Sequence, residues 1–170
     1  ATRRPGEVPA TVLSVGCGMA LQEAFLASRL PETQVLATDF VQTWEPSLIP
    51  NLAFREVDIL QWADEADFDF VFSIETLEHV EDPRRAFRNA ARKVGPSGYL
   101  YVSVPFASVE EQADPDLRRS EQEAFGHCRP GFSFEDLEGL FAENGLRVLH
   151  ATSMFGTGLT CNLNALLARL

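Results

Sequence analysis

Cysteine is scarce in the 170-residue sequence: Cys17, Cys128 and Cys161 make an odd number, at spacings that suit neither a disulfide framework nor a zinc site. A reducing compartment, the cytoplasm, is expected, and spacing alone indicates no metal. No stretch approaches the roughly 18 consecutive apolar residues of a membrane span, and no signal-peptide pattern opens the chain. Basic residues are also few, 14 Lys and Arg against 25 Asp and Glu, for a formal net charge of −11. Such a chain repels phosphate backbones, which disfavours nucleic acid as a partner unless the basic side chains cluster. The one basic run, Arg84, Arg85, Arg88, Arg92 and Lys93, falls at helical spacing and reads as a solvated face. Apolar residues at 45% and charged ones at 23% exclude disorder, a collagen-like repeat and a coiled coil. The length suits one domain with one core, residues 1–170. The first residue is Ala rather than Met, so the chain reads as cut at its N-terminus.

Short apolar runs alternate with helix-period segments, the pattern of a parallel sheet covered by helices. The runs are Thr11–Val15, Gln34–Thr38, Leu52–Val57, Phe68–Ser73, Tyr99–Val104 and Arg147–Thr152. Leu21, Ala24 and Phe25 share one helical face, and Pro31 ends that helix. Pro83 suits a first helical turn, after which Ala86, Phe87, Ala90 and Val94 recur on one side up to Gly95-Pro96. Residues 106–132 have little period and much charge, and read as an insertion or lid. Ser133 and Asp136 suit a helix start, Phe134, Leu137, Leu140 and Phe141 share a face, and Gly145 suits its stop. The fold class is α/β, a doubly wound Rossmann-like arrangement with a mostly parallel central sheet and helices on both faces. Ligands of such sheets bind beyond the carboxyl ends of the strands, at the switch point.

Three features stand at three successive strand ends. Gly16-Cys17-Gly18 follows the first strand and opens a helix, where glycine permits a sharp turn and close approach of a ligand to the main chain. Asp39 ends the second strand, and a carboxylate there can take both hydroxyls of a ribose. Asp58 closes the third, where it can accept from an adenine amino group or cap the turn Ile59–Ala63. A glycine turn or a strand-end aspartate is common singly; the three together are not. An NAD-type fingerprint would place a third glycine at Leu21, which disfavours a dinucleotide oxidoreductase.

Val12-Leu-Ser-Val-Gly-Cys-Gly18, Val35-Leu-Ala-Thr-Asp39 and Phe68-Asp-Phe-Val-Phe-Ser-Ile-Glu-Thr-Leu-Glu-His-Val-Glu-Asp-Pro83 resemble the class I S-adenosylmethionine-dependent methyltransferases. The likeness is to the small-molecule branch typified by ubiquinone-biosynthesis methyltransferases, and it runs from about Thr11 to Gly158. Gly126-His-Cys-Arg-Pro-Gly-Phe-Ser-Phe-Glu-Asp-Leu137 resembles the entry to a late helix of that branch. The resemblance implies that Gly16, Cys17 and Gly18 pass beneath the methionine part of S-adenosylmethionine and that Asp39 holds its ribose. It further implies that Phe40 lies against the adenine, that Asp58 and the Ile59 amide read the adenine edge, and that Ser73, Ile74 and Glu75 border the sulfonium. Ser14 stands where the family has an acidic residue for the cofactor's amino group, and Ala20 where glycine is common. Both departures imply weaker cofactor binding.

The expected reaction moves a methyl group to a small-molecule, lipid-linked or glycan acceptor at oxygen, leaving S-adenosylhomocysteine. An oxygen nucleophile must lose a proton, and histidine is the usual agent. His127, with Arg129 and between Phe125 and Phe132, is one candidate; His79, just after the fourth strand, is the other. Each also has a bland reading, His127 as a loop side chain packed on aromatics and His79 as a helix-start hydrogen bond. His150, inside a strand, reads as structural. A non-catalytic module that keeps the fold and binds S-adenosylmethionine or a partner stands as the alternative, motivated by Ser14 and Ala20. The oligomeric state is not legible.

Methyltransferases of this fold end on an antiparallel seventh strand, and Gly156-Thr-Gly158 suits the hairpin turn before it. The tail argues otherwise: Asn162 is a good cap, and Leu163, Leu166, Leu167 and Leu170 fall at helical spacing. A short amphipathic helix from Asn162 is expected, with the missing strand supplied by chain beyond Leu170.

Overall fold

The computed structural model describes residues 8–44, 48–155 and 161–169. Seven strands form one sheet: β1 (Thr11–Val15), β2 (Gln34–Asp39), β3 (Leu52–Glu56), β4 (Phe68–Ile74), β5 (Val94–Pro105), β6 (Leu146–Phe155) and β7 (Cys161–Arg169). Their order is β3-β2-β1-β4-β5-β7-β6. The pairs from β3 through β5 are parallel, and β7 runs antiparallel to both β5 and β6. The order reverses between β1 and β4, which opens the switch-point crevice there. The expected fold class is therefore observed.

Alternation along β1 divides the core. Leu13 and Val15 pack with Phe87 of α2 (Pro83–Ala91) and with Leu137, Leu140 and Phe141 of α5 (Phe134–Glu143). Val12 packs on the other face with Ala27 of α1 (Leu21–Arg29), together with Val35, Ala37 and Phe72. α2 starts as its residues dictate, with Pro83 in the first turn and the Asp82 carboxylate accepting the Arg85 N–H. Ser133 and Asp136 form the expected capping box of α5, and Gly145 follows that helix with φ 62°.

Several expectations are corrected. The tail is strand, not helix. β7 lies between two neighbours and is covered on both faces, so Leu163, Asn164, Ala165 and Leu167 are all buried and no two-residue alternation is visible. The seventh strand therefore lies within this chain. The expected turn Gly156-Thr-Gly158 is outside the described residues. On α1 the buried positions are Glu23 and Ala27, while Leu21 and Phe25 are exposed, the reverse of the apolar-stripe reading. α2 ends at Ala91, and Val94 belongs to β5, paired with Phe68. Lys93 is wholly buried, its ammonium 4.0 Å from the centre of the Trp62 ring and donating to the Asp64 carbonyl, unlike the exposed arginines before it.

The segment 106–132 is largely helical rather than irregular: α3 (Val109–Ala113) and α4 (Pro115–Phe125) bury no residue and so carry no apolar period. Their ends are set by caps, a Ser108–Glu111 capping box and the Asp114 carboxylate with Pro115. No helix among the described residues is long and apolar enough to cross a membrane.

Candidate functional site

The glycine loop is tied to the second strand by hydrogen bonds its own residues supply. The N–H groups of Gly16 and Cys17 donate to the Thr38 carbonyl at 2.9 and 3.0 Å. Gly16 has φ 77°, and a Cβ there would stand 2.2 Å from the Thr76 side chain. Glycine is required at that position by both conformation and space. The Gly18 N–H donates to Asp39 Oδ2 at 2.7 Å, and Phe40 N–H donates to Asp39 Oδ1 at 2.7 Å. Asp39 thus organises the loop beside which the sequence places it. Cys17 is buried, and burial above all pushes its thiol up to about 11, so it is not a nucleophile.

Two clefts meet at Gly16. The larger, about 590 Å³, lies over the ends of β1, β2 and β3 and is lined by Asp39, Phe40, Asp58, Ile59, Thr76 and His79. Asp58 Oδ1 accepts the Leu60 N–H at 2.8 Å, so the expected turn-capping role is observed. Phe40 is 69% exposed, an apolar ring held open to solvent at the cleft edge. Asn89 pins the neighbouring turn by donating to the Ile59 carbonyl at 2.7 Å.

The smaller cleft, about 270 Å³, is lined by Ser14, Gly16, Cys17, Gly18, Glu23 and Glu75 among others. Here lies a residue that the sequence reading missed. The Ser14 hydroxyl donates to Glu23 Oε1, Glu23 is buried, and its Oε2 has no partner. Desolvation raises the Glu23 carboxyl above its ordinary value, with the Ser14 hydroxyl opposing. The signal was a missing acid on β1 and a glutamate in the first turn of the next helix. Glu75 directly follows β4 with φ 50°, a strained conformation for a non-glycine residue. Its Oε1 accepts the Ser103 hydroxyl at 3.0 Å, and burial raises its carboxyl. Ser73 is buried with its hydroxyl unpartnered, and Ile74 lines the smaller cleft.

The two candidate histidines, 48 residues apart by number, are neighbours in space. Their rings lie 4.7 Å apart, edge to face. The insertion delivers His127: the Cys128 N–H donates to the Glu78 carbonyl at 2.8 Å and fastens the end of α4 to the short 3-10 turn Leu77–His79. The Glu121 carboxylate stands 2.8 Å from His127 Nδ1, an ion-pair approach rather than a well-aligned hydrogen bond. Burial first, then the neighbouring His79, lowers the affinity of His127 for a proton, with the Glu121 carboxylate opposing. His79 lines the larger cleft, whereas His150 lies exposed in edge strand β6.

Residues 2–151 match the family model described as a methyltransferase domain. A trans-aconitate 2-methyltransferase of Azoarcus sp. (strain BH72) is 26% identical over 106 residues, 61% of this chain and 42% of that protein. A ubiquinone biosynthesis O-methyltransferase of Paracidovorax citrulli (strain AAC00-1) is 35% identical over 101 residues, 55% of this chain and 42% of that protein. The chain spans about two fifths of the length of these curated relatives. Among solved structures, the Burkholderia thailandensis 1,6-didemethyltoxoflavin-N1-methyltransferase, crystallised with S-adenosylhomocysteine, superposes with a TM-score of 0.74 at 15% identity. That alignment covers 95% of this chain and 71% of the other.

Proposed function

The chain belongs to the methyltransferase domain family, and from that premise we propose that it transfers the methyl group of S-adenosylmethionine to an oxygen of a small-molecule acceptor, lipid- or glycan-linked acceptors included. The observation that carries the reading is the pair of clefts meeting at Gly16, one with Asp39 and Asp58, the other with Glu23 and Glu75. A nucleoside fits the first and a charged amino-acid group the second. In this reading Asp39 takes the ribose hydroxyls, Phe40 covers the adenine, and Asp58 with the Ile59 amide reads its edge. Gly16, Cys17 and Gly18 pass beneath the methionine part, and the main chain of Ser73 and Ile74 with Glu75 borders the sulfonium. Glu23 supplies, from the helix, the carboxylate for the amino group that Ser14 does not supply from the strand. Its unpartnered Oε2 supports this fit.

When bound, S-adenosylmethionine supplies a methyl carbon whose bond to sulfur breaks as the acceptor oxygen attacks, the electron pair passing to sulfur. The chain's work is to align the two partners and exclude water. His79 and His127 stand at the acceptor side and promote loss of the acceptor's proton. Ala20 keeps a non-catalytic cofactor-binding module as the second reading, because its φ of 53° is a position suited to glycine.

Calorimetric titration with S-adenosylmethionine, S-adenosylhomocysteine and NAD tests the cofactor, and an acceptor screen following S-adenosylhomocysteine release tests the reaction. Binding of the first two and not of NAD is expected. Binding without turnover on any oxygen acceptor would favour the module.

A further inference from the structure

Arg129, on the link between α4 and α5, is a half-buried cation with no counter-charge in contact. A guanidinium is all donor and no acceptor. Among the described residues one acceptor meets it, the Glu81 carbonyl at 3.5 Å, the outer limit for a hydrogen bond. Its Nε is shielded from solvent and has no partner. The guanidinium lies over the Phe132 ring, 5.3 Å from the ring centre. Burial, with Arg118 adding to it, outweighs the attraction of Cys128, Asp136 and Asp82 and pushes the group below its ordinary pKa. A charge withdrawn from water in this way is costly unless an opposite charge meets it.

Neighbouring residues do not supply that charge. Asp82 and Asp136 border the same space, yet both are engaged as helix caps. Asp82 Oδ1 accepts the Arg85 N–H at 3.0 Å. Asp136 Oδ2 accepts the Ser133 N–H and hydroxyl, each at 2.9 Å, and the Gln112 amide at 2.8 Å. Neither carboxylate reaches ion-pair distance of Arg129.

The guanidinium lines a cavity of about 200 Å³ instead, together with Asp82, Arg84, Phe132, Asp136 and Leu140. This cavity shares no lining residue with the two clefts that meet at Gly16. Arg84 brings a second guanidinium to it, paired at one end with Glu143. The volume is several times the roughly 30 Å³ that one water takes up, which is room for a phosphate or a small carboxylate.

We propose that this cavity binds a small oxyanion, phosphate or carboxylate, through Arg129, with Arg84 at its border. Two oxygens of one anion meet the Nε and Nη donors of a guanidinium side by side, a match of shape that an ammonium lacks. The two aspartates in the lining favour a singly charged anion over a polyanion. Arg129 also touches the carbonyl of Glu81, and Glu81 lines the larger cleft, so the anion sits behind the loop that joins the insertion to that cleft. The site stands on its own and does not rest on the transfer reading.

The test is a titration of the protein in chloride buffer with inorganic phosphate or with acetate at constant ionic strength, read by calorimetry and by thermal melting. Saturable binding of at least one of the two is expected, with a saturable rise in melting temperature that chloride does not produce. The anion that saturates at the lower concentration identifies the source as phosphate or carboxylate. Arg129→Gln should abolish the response, and Arg129→Lys should weaken it about tenfold through loss of a charge-assisted hydrogen bond. Arg119→Gln, which removes an exposed arginine outside the cavity, should leave it unchanged. In chloride alone Arg129→Gln should melt close to wild type, since the charge it removes has no partner. Circular dichroism reports whether it is folded, and Arg129→Lys, which keeps the charge, carries the test if it is not. A wild-type protein that responds alike to phosphate, acetate and chloride overturns the site. So does a saturable response that survives undiminished in the folded Arg129 variants.

Discussion

The Asp39 carboxylate accepts the Gly18 N–H at 2.7 Å, so the end of the second strand and the glycine loop of the first are one structural unit. Its other oxygen accepts the Phe40 N–H. Asp39→Ala should therefore loosen the empty loop as well as remove the ribose contact. Affinity for S-adenosylhomocysteine is expected to fall about ten- to a hundredfold, and the empty protein to lose about 1 kcal/mol. Calorimetry and thermal melting check both. Unchanged affinity would place the ribose elsewhere.

Gly16 and Ala20 sit in the same turn with opposite fits to their backbone. Gly16→Ala sets a Cβ against Thr76 at a φ of 77° and should destabilise the fold while abolishing cofactor binding. Ala20, at φ 53°, already carries the left-handed penalty. Ala20→Gly should relieve about 1 kcal/mol, less what its buried methyl contributes, and preserve or improve cofactor affinity. A melting comparison that moves both variants in the same direction would contradict the turn geometry.

Glu23 links pH to stability. Its carboxyl is raised by burial, so its stabilising contribution is full below its ordinary pKa of 4.5 and is lost as the pH climbs through the folded value. Above its folded pKa the empty protein holds an ionised, half-partnered carboxylate, and there Glu23→Gln should melt higher than wild type. Near pH 4 the two should melt alike. The same substitution should cost about tenfold in S-adenosylhomocysteine affinity, because the amino group loses its counter-charge. A variant that melts higher yet binds equally would remove Glu23 from the cofactor site.

The parts that were legible in the sequence are those whose signal is local. Gly16, Asp39 and Asp58 stand at strand ends, and the strand runs that precede them are short, apolar and bounded by turns. The Ser133–Asp136 box was readable because a cap is a four-residue pattern. Glu23 was not, since its meaning depends on Ser14 reaching it across the loop. The meeting of His79 and His127 was not either, because the insertion that carries His127 has no apolar period to say where it folds. Burial of Glu78 arises from tertiary packing over a single 3-10 turn.

At the acceptor side, His127→Ala should lower turnover roughly a hundredfold or more with S-adenosylhomocysteine affinity preserved, because its ring meets His79 and does not line the cofactor cleft. His79→Ala should disturb both, since His79 lines that cleft. Single-turnover rates and calorimetry separate the two. Small, equal effects at both positions would mean that alignment alone drives transfer.

The tail offers the sharpest test of strand against helix. Leu163, Leu166, Leu167 and Leu170 have helical spacing, and Ala and Leu favour helix, yet Cys161–Arg169 pairs with β5 and β6. The sheet prevails because a helix would leave the inward edges of β5 and β6 with unpaired backbone groups, whereas the strand pairs on both sides. Burial on both faces follows, and it brings Asn164 inside, where its Oδ1 accepts the Tyr101 hydroxyl at 2.6 Å. Leu167 is fully buried in the α2–α5 core, so Leu167→Ala should cost about 2–5 kcal/mol, while Leu166→Ala, half-buried on the other face, should cost less. In a helix the two adjacent leucines would share one apolar stripe and lose similar amounts. Hydrogen exchange should find the amides of Leu163–Ala168 protected to the same degree as those of β5. Equal costs at both leucines, with amides that exchange freely, would return the tail to a surface helix.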